Sequence, residues 1–345
     1  MAKETDSQLS GAERPGPATA AQVVPSGQAL HSRILARGIQ VLGIGTFYLV
    51  ILIFFSISAP NFAQYSNTIN ILSNVSVIGI IAIGQAICII SGGFDLSVSG
   101  TVPLGAVAYA AMVNRPMSVI EATLVVLAVG GAVGLANGLI ITKLGINPLI
   151  TTLGTLSIGA GLAFTFTNGI TTPLKDLSTG IWGNTAFAGI TYDIVALLAL
   201  SLVSFLVLRY TVFGRAVYAI GGNREAARLA GIRVDLISTV VYVISGALGA
   251  FAGEIVTSQL LAGSATVGGS AALSSIAAVI LGGAALTGGE GGIVGTLLGV
   301  LVLGTIADGM ALMHVATFYQ QVATGGVLLL AVGFGRLRQL LGGRS

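Results

Sequence analysis

Ten apolar runs, each near the length that crosses a lipid bilayer, constrain this chain more than any other feature. They cover residues 40–59, 70–91, 98–114, 118–142, 147–168, 193–210, 236–258, 271–286, 292–311 and 317–335. A helix needs about 20 residues to cross the hydrocarbon, where every backbone N–H and C=O must find a partner inside the protein. Continuous runs of this length satisfy that demand as helices, so the sequence reads as an all-α polytopic membrane protein of about ten transmembrane helices. The third and eighth runs are short and broken by Gly, and are expected to be tilted, broken or re-entrant. Composition excludes a soluble domain: 54% of the 345 residues are hydrophobic and 8% are charged, against about 25% charged in soluble proteins.

Charge supplies the orientation. If both termini lie inside, thirteen basic residues from Lys3 to Arg344 fall on the cytoplasmic side and only Arg115 and Lys175 fall outside. That asymmetry is the positive-inside rule, and it also explains the net charge of +3 without nucleic acid. Residues 1–35 are rich in Ala, Gly, Pro, Ser and Gln and have no apolar stretch. They are expected to be a disordered cytoplasmic tail, leaving residues 36–345 as the membrane domain. The single cysteine, Cys88, sits within an apolar run, so no intramolecular disulfide or cysteine zinc cluster is open to the chain. In the longest external loop, about 169–192, Trp182 reads as an anchor at the membrane interface.

Two halves of the chain echo each other. A shift of 190 residues superposes Gly92-Gly93 on Gly282-Gly283, Leu96 on Leu286, Ser97 on Thr287 and Gly105 on Gly295. Each half then contains an apolar run, a paired-glycine break, a hydroxyl residue and a second apolar run. Transporter cores are often built from such repeats, and here both copies run in the same direction. Three glycine rows, Gly130/Gly134/Gly138, Gly246/Gly249/Gly253 and Gly291/Gly295/Gly299, read as faces where helix backbones approach closely.

The polar exceptions carry the functional clues. The loop 211–235 contains Asn223-Arg224-Glu225-Ala226-Ala227-Arg228-Leu229-Ala230-Gly231, a short helix with Asn223 as N-cap and Gly231 as its stop. A charged helix between two spans has little of its own chain to pack on, so it is expected to be a docking surface. Its arginines can pair with acids of a partner or with anionic headgroups. Within the spans, neutral groups suit a polyhydroxylated solute better than charges do. Asn74, Gln85, Ser97, Asn137, Thr152, Thr155, Gln259 and Thr287 form that candidate path, with the acids Asp95 and Glu254. Asp95 either satisfies broken backbone beside it or meets the solute, and Glu254 is placed near an external vestibule.

Four motifs in order add a resemblance. They are Ser91-Gly92-Gly93-Phe94-Asp95-Leu96-Ser97, then Ala136-Asn137-Gly138 with Asn147 to Thr155, the segment Tyr218 to Ile232, and Ile276 to Gly289. Together they resemble the permease subunits of bacterial ribose/monosaccharide-type ABC importers, over residues 40 to 335. The resemblance implies an inner-membrane permease that forms a dimer, often of identical chains. It implies a cytoplasmic ABC ATPase partner that binds ATP and Mg, and a periplasmic or lipid-anchored sugar-binding protein. Residues 223–231 are then the ATPase-coupling helix. The chain has no G-x-x-x-x-G-K-[ST] motif, so no nucleotide cofactor is expected in it and no catalytic residue is assigned. Nucleosides, inositol and furanosyl signals remain alternative solutes. An ion-coupled secondary transporter, with the acids carrying protons, is the rival class.

Overall fold

The computed structural model describes residues 27–320 and, beyond them, residues 322, 323, 325, 326, 329 and 333, with side-chain surroundings from residue 42. Among the described residues, six helices are long and apolar enough to cross a membrane: α2 (Tyr65–Ile90), α4 (Val119–Lys143), α5 (Pro148–Thr167), α6 (Tyr192–Tyr210), α9 (Val234–Leu260) and α11 (Ile293–Leu312). Three more are apolar but shorter: the Leu42–Ser58 part of α1 (Gly27–Ser58), α3 (Val98–Val113) and α10 (Ala271–Leu281). Two short helices, α7 (Val212–Gly222) and α8 (Arg224–Leu229), fill the loop between α6 and α9. The described helices therefore follow nine of the ten apolar runs; the tenth, 317–335, is described only in part, and its described residues are helical. The expected tail also lies largely outside them, with α1 beginning at Gly27. At 16 and 11 residues, α3 and α10 rise only about 24 and 16 Å, short of the ~30 Å core. These are the third and eighth runs.

Burial sorts the helices into a centre and a shell. In α2, 78% of the most apolar window is buried, and in α9 61%, against 22% in α5 and 28% in α6. The main core runs along α2, α9, α10 and α11 through Ile80, Ile83, Ile89, Ile255, Val279 and Val302. The seam between α4 and α9 has a simple chemical origin. The buried positions of α4 are Ala122, Val126, Gly130, Gly134, Asn137, Gly138 and Ile141, a stripe at near four-residue spacing. Small residues there admit the backbone of α9: a Cβ on Gly134 would lie 2.7 Å from the Cα of Val243, and one on Gly138 would lie 2.7 Å from the Cα of Thr239. Gly246 faces Gly130 and Gly134 from the other side. Such close approach replaces the hydrophobic drive that lipid-immersed helices lack. The third glycine row is shorter than expected. Gly295 and Gly299 pack α11 on α10, but Gly291 precedes the helix with φ 133° and lies against Ala284.

The two paired-glycine breaks are matching helix ends. After α2, the N–H of Gly92 donates to Ile89 and that of Gly93 to Cys88; after α10, Gly283 donates to Ile280 and Ala284 to Val279. Gly92 and Gly283 occupy the same left-handed position, φ 81° and 91°, as this helix-end motif requires. Superposing these caps needs a shift one residue longer than the 190 suggested by the letters, because the glycine pairs sit one step apart in the motif.

At the opposite end, residues 172–173 pair with 262–263 and residues 185–187 with 190–191, both antiparallel. These short strands (β1 Thr172–Pro173, β2 Thr185–Phe187, β3 Ile190–Thr191 and β4 Ala262–Gly263) pin the long loop over the helix ends. Tyr109 donates to the carbonyl of Thr179 at 2.5 Å, and Tyr65 to that of Ala188 at 2.5 Å. Asp176 lies in this loop, where the side chain and N–H of Ser178 hold its carboxyl below the usual carboxylate range. Trp182 is not a lipid-interface anchor. It packs edge-on against Phe251, ring centroids 5.0 Å apart, and donates its indole N–H to Glu254 at 2.7 Å.

Candidate functional site

The break between α2 and α3 positions a buried polar lattice. Asp95 accepts two hydrogen bonds on Oδ1, from the N–H of Ser97 at 3.0 Å and its hydroxyl at 2.5 Å. This local turn satisfies backbone left open where α2 has ended and α3 has not begun. The Ser97 oxygen accepts from Nδ2 of Asn137 at 2.9 Å, and Oδ1 of Asn137 accepts from the Thr155 hydroxyl at 2.8 Å. Four of the residues singled out in sequence thus form one chain of hydrogen bonds joining the break, α4 and α5. Asp95, Ser97 and Asn137 are wholly buried. Bonded to one another in this way, they fix three helices rather than present free donors to a solute.

The other candidates separate. Glu254 is wholly buried, and its Oε1 accepts from Trp182 and from the Thr123 hydroxyl at 2.6 Å. It ties α4, α9 and the loop together rather than lining an open vestibule. Gln259 donates to Ser73 at 3.2 Å and to Asp193 at 2.6 Å, and Ser73 donates to the same Asp193 oxygen at 2.6 Å. Thr191 also donates to Asp193. Asp193 and Ser73 carry no place in the sequence reading. The available signal was an acid in the first turn of an apolar run, the position a helix dipole favours. Gln85 and Thr152 are wholly buried, with the Thr152 hydroxyl donating to the carbonyl of Pro148 at 2.8 Å. Asn74 and Thr287 are exposed. A cavity of about 290 Å³ lies between α2, α3, α9 and the start of α10, lined by Val77, Ile81, Val102, Val256 and Val267, with Ser270 at its rim.

At the arginine-bearing end, α8 forms as its residues dictate. Asn223 caps it, its Oδ1 accepting from the N–H of Ala226 at 2.9 Å, and Gly231 ends it at φ 82°. Ala227 is buried against Ile220 and Val234, so it seats α8 on its own chain and is not part of an outward packing face. The arginines are also engaged internally. Arg224, Arg228 and Lys143 gather around Asp235 at 3.6, 3.7 and 3.7 Å, and Glu225 lies 3.7 Å from Arg228. Even so, Arg224 and Arg228 stay exposed beside Glu225, Ala226, Ala230 and Leu229, the last 83% exposed, so α8 presents both charge and an apolar side chain outward. Among the described residues, no three His, Cys, Asp or Glu side chains converge as a metal site would require.

The comparisons with known proteins fit this architecture. Residues 67–332 match the family described as branched-chain amino acid transport system / permease component. The ribose import permease protein RbsC of Bacillus subtilis is 39% identical over 312 residues, covering 88% of this chain and 96% of the relative. The L-arabinose ABC transporter permease protein AraH of Azospirillum brasilense is 37% identical, covering 91% of this chain and 94% of the relative. The ribose import permease protein RbsC of Escherichia coli K12 is 35% identical, covering 82% and 90%. No solved structure matches the chain. Matched over residues 67–332 by the family and nearly end to end by these relatives, the chain belongs to the family of ABC-importer permease components that includes these ribose and arabinose permeases.

Proposed function

We propose that this chain is the membrane-spanning subunit of an ATP-driven importer that moves a monosaccharide of the ribose, xylose, galactose or arabinose kind across the bacterial inner membrane. The observation that carries this reading is its near end-to-end similarity to sugar permeases. The site chemistry supports a neutral polyhydroxylated solute. Asp95, Asp193 and Glu254 are wholly buried and each is held by internal hydrogen bonds, with Oδ2 of Asp95 and Oε2 of Glu254 left without a partner, so none is exposed to an amino acid's ammonium. The exposed polar side chains on or beside the spans include the neutral Asn74, Thr266, Ser270 and Thr287, together with the acids Glu121 and Glu290 near helix starts.

In this reading two copies of the chain enclose the path, with both termini and α8 in the cytoplasm. A separate ABC ATPase docks on α8 and supplies the energy, and a soluble or lipid-anchored binding protein delivers the sugar from outside. This chain performs no covalent chemistry. Its work is to interconvert two packings of the bundle under a force applied at α8. The test is gentle purification from the native membrane, identification of what accompanies the chain, and reconstitution into liposomes. A stoichiometric P-loop ATPase and sugar uptake that requires ATP are expected. Sugar uptake on a proton gradient without any ATPase would contradict the reading.

A further inference from the structure

We propose that the two repeat breaks and the helix leading to α8 are joined by a backbone junction, and that this junction carries motion of α8 to both halves of the bundle at once. The inference rests on the importer reading above. It starts from three segments distant in sequence that meet without side chains between them. The N–H of Gly289, in the break between α10 and α11, donates to the carbonyl of Ile90 at the end of α2, 2.9 Å away. Gly221, one residue from the end of α7, lies over that bond. A Cβ there would sit 2.5 Å from the Gly289 nitrogen and closer still to the Ile90 oxygen. Gly288 completes the contact: its Cβ would lie 2.8 Å from the Cα of Gly92 and 2.9 Å from the carbonyl oxygen of Gly221. Tyr218, one turn earlier on α7, donates its hydroxyl to the carbonyl of Gly291 at 2.9 Å.

The placement gives the junction its consequence. α7 and α8 share Asn223 as the end of one and the cap of the other, so a push on α8 is a push on Gly221. From Gly92 the chain leads within a few residues to Asp95 and Ser97, the start of the lattice that holds α4 and α5. From Gly288 and Gly289 it leads into α11. One displacement at α7 therefore reaches α3, α4 and α5 by one branch and α10 and α11 by the other. Packed backbone passes on such a shift with less loss than flexible side chains, because interiors at crystal-like density transmit strain. Gly222 provides an internal control, since a Cβ there meets nothing within 4 Å.

The experiment uses the assembled importer in liposomes, with ATP hydrolysis and sugar uptake measured on the same preparation. Gly221→Ala is expected to keep ATP hydrolysis within about twofold while uptake per ATP falls tenfold or more. Gly222→Ala is expected to keep both, and Tyr218→Phe to lower uptake per ATP by a few fold. Hydrogen exchange of the same complexes, with and without ATP and vanadate, supplies a readout that a folding defect does not mimic. In the unaltered complex the segments 90–97 and 283–292 are expected to change protection together, and in Gly221→Ala neither should respond while α8 still does. Normal uptake per ATP in Gly221→Ala, or a response confined to one of the two breaks, would overturn the junction. Absence of any associated ATPase would instead overturn the importer reading on which it stands.

Discussion

The lattice around Asn137 and the helix around Arg224 are both polar islands in an apolar chain, and they are built to opposite rules. In the lattice, the Asn137 amide joins the α2–α3 break to α5 through Ser97 and Thr155, Asp95, Ser97 and Asn137 are buried, and losing Asn137 takes one partner from each of its neighbours in a place water does not reach. There the cost of an unmade bond is about 1–3 kcal/mol. Around α8, five charged side chains, three of them its own, share four long contacts of 3.6 to 3.7 Å at positions 37–69% exposed, where a single pair contributes about 0–1 kcal/mol and salt screens it. One region is over-determined and the other is loosely tethered. That difference fits the proposed role of α8 as the element an ATPase would dock on and move while the rest of the bundle keeps its packing.

The comparison can be broken deliberately. The largest effect is expected at the seam that supports the lattice. Gly134→Leu drives a side chain into the backbone of α9, where the usual ~1–3 kcal/mol of overpacking is a lower bound because backbone cannot rotate away. Little folded protein should survive detergent extraction, as size-exclusion profiles would show. An unchanged profile would mean that α4 and α9 separate easily. Next, Asn137→Ala should lower stability by about 1–2 kcal/mol, since it removes one hydrogen bond each from Ser97 and Thr155 while Ser97 keeps Asp95 and Thr155 keeps its helix carbonyls. Thr155→Ala in the same background should add less than it does alone, because the two share one network. Strict additivity in thermal melts would show that the lattice is not a unit. Smallest of all, Asp235→Asn should change the melting temperature little and make the remaining difference vanish at high salt. A loss as large as that of Asn137→Ala would place α8 among the rigid elements.

Much of this was legible in the letters. The apolar runs fall on helices from 42 to 312 with end shifts of a few residues, because bilayer length and backbone satisfaction leave so few options. Asn223 and Gly231 marked α8 for a local reason, side-chain capping and a left-handed stop. Facing was not legible. A membrane helix is apolar toward lipid and toward its neighbours alike, so the amphipathic signal that orients soluble helices is absent. Asn74 and Gln85, eleven positions apart on one helix, looked alike in sequence, yet one is exposed and the other wholly buried. Trp182 was misread for a related reason. Its partner Glu254 is 72 residues away, and nothing local reports a contact made by the folding back of a loop. Asp193 escaped notice because it sits at a span boundary, where an acid ordinarily meets water, although here Ser73, Thr191 and Gln259 enclose it.

The most direct test of the contrast between a rigid interior and a seized end is the affinity of the ATPase for the membrane-embedded chain carrying Leu229→Asp. Leu229 is the large apolar side chain that α8 offers outward, 83% exposed, and buried apolar anchors dominate docking energies. Binding is expected to weaken at least tenfold, which is about 1.4 kcal/mol, while the melting temperature of the permease stays where it was. Unaltered binding, or a melting temperature that falls along with it, would contradict the assignment of α8 as an outward docking element.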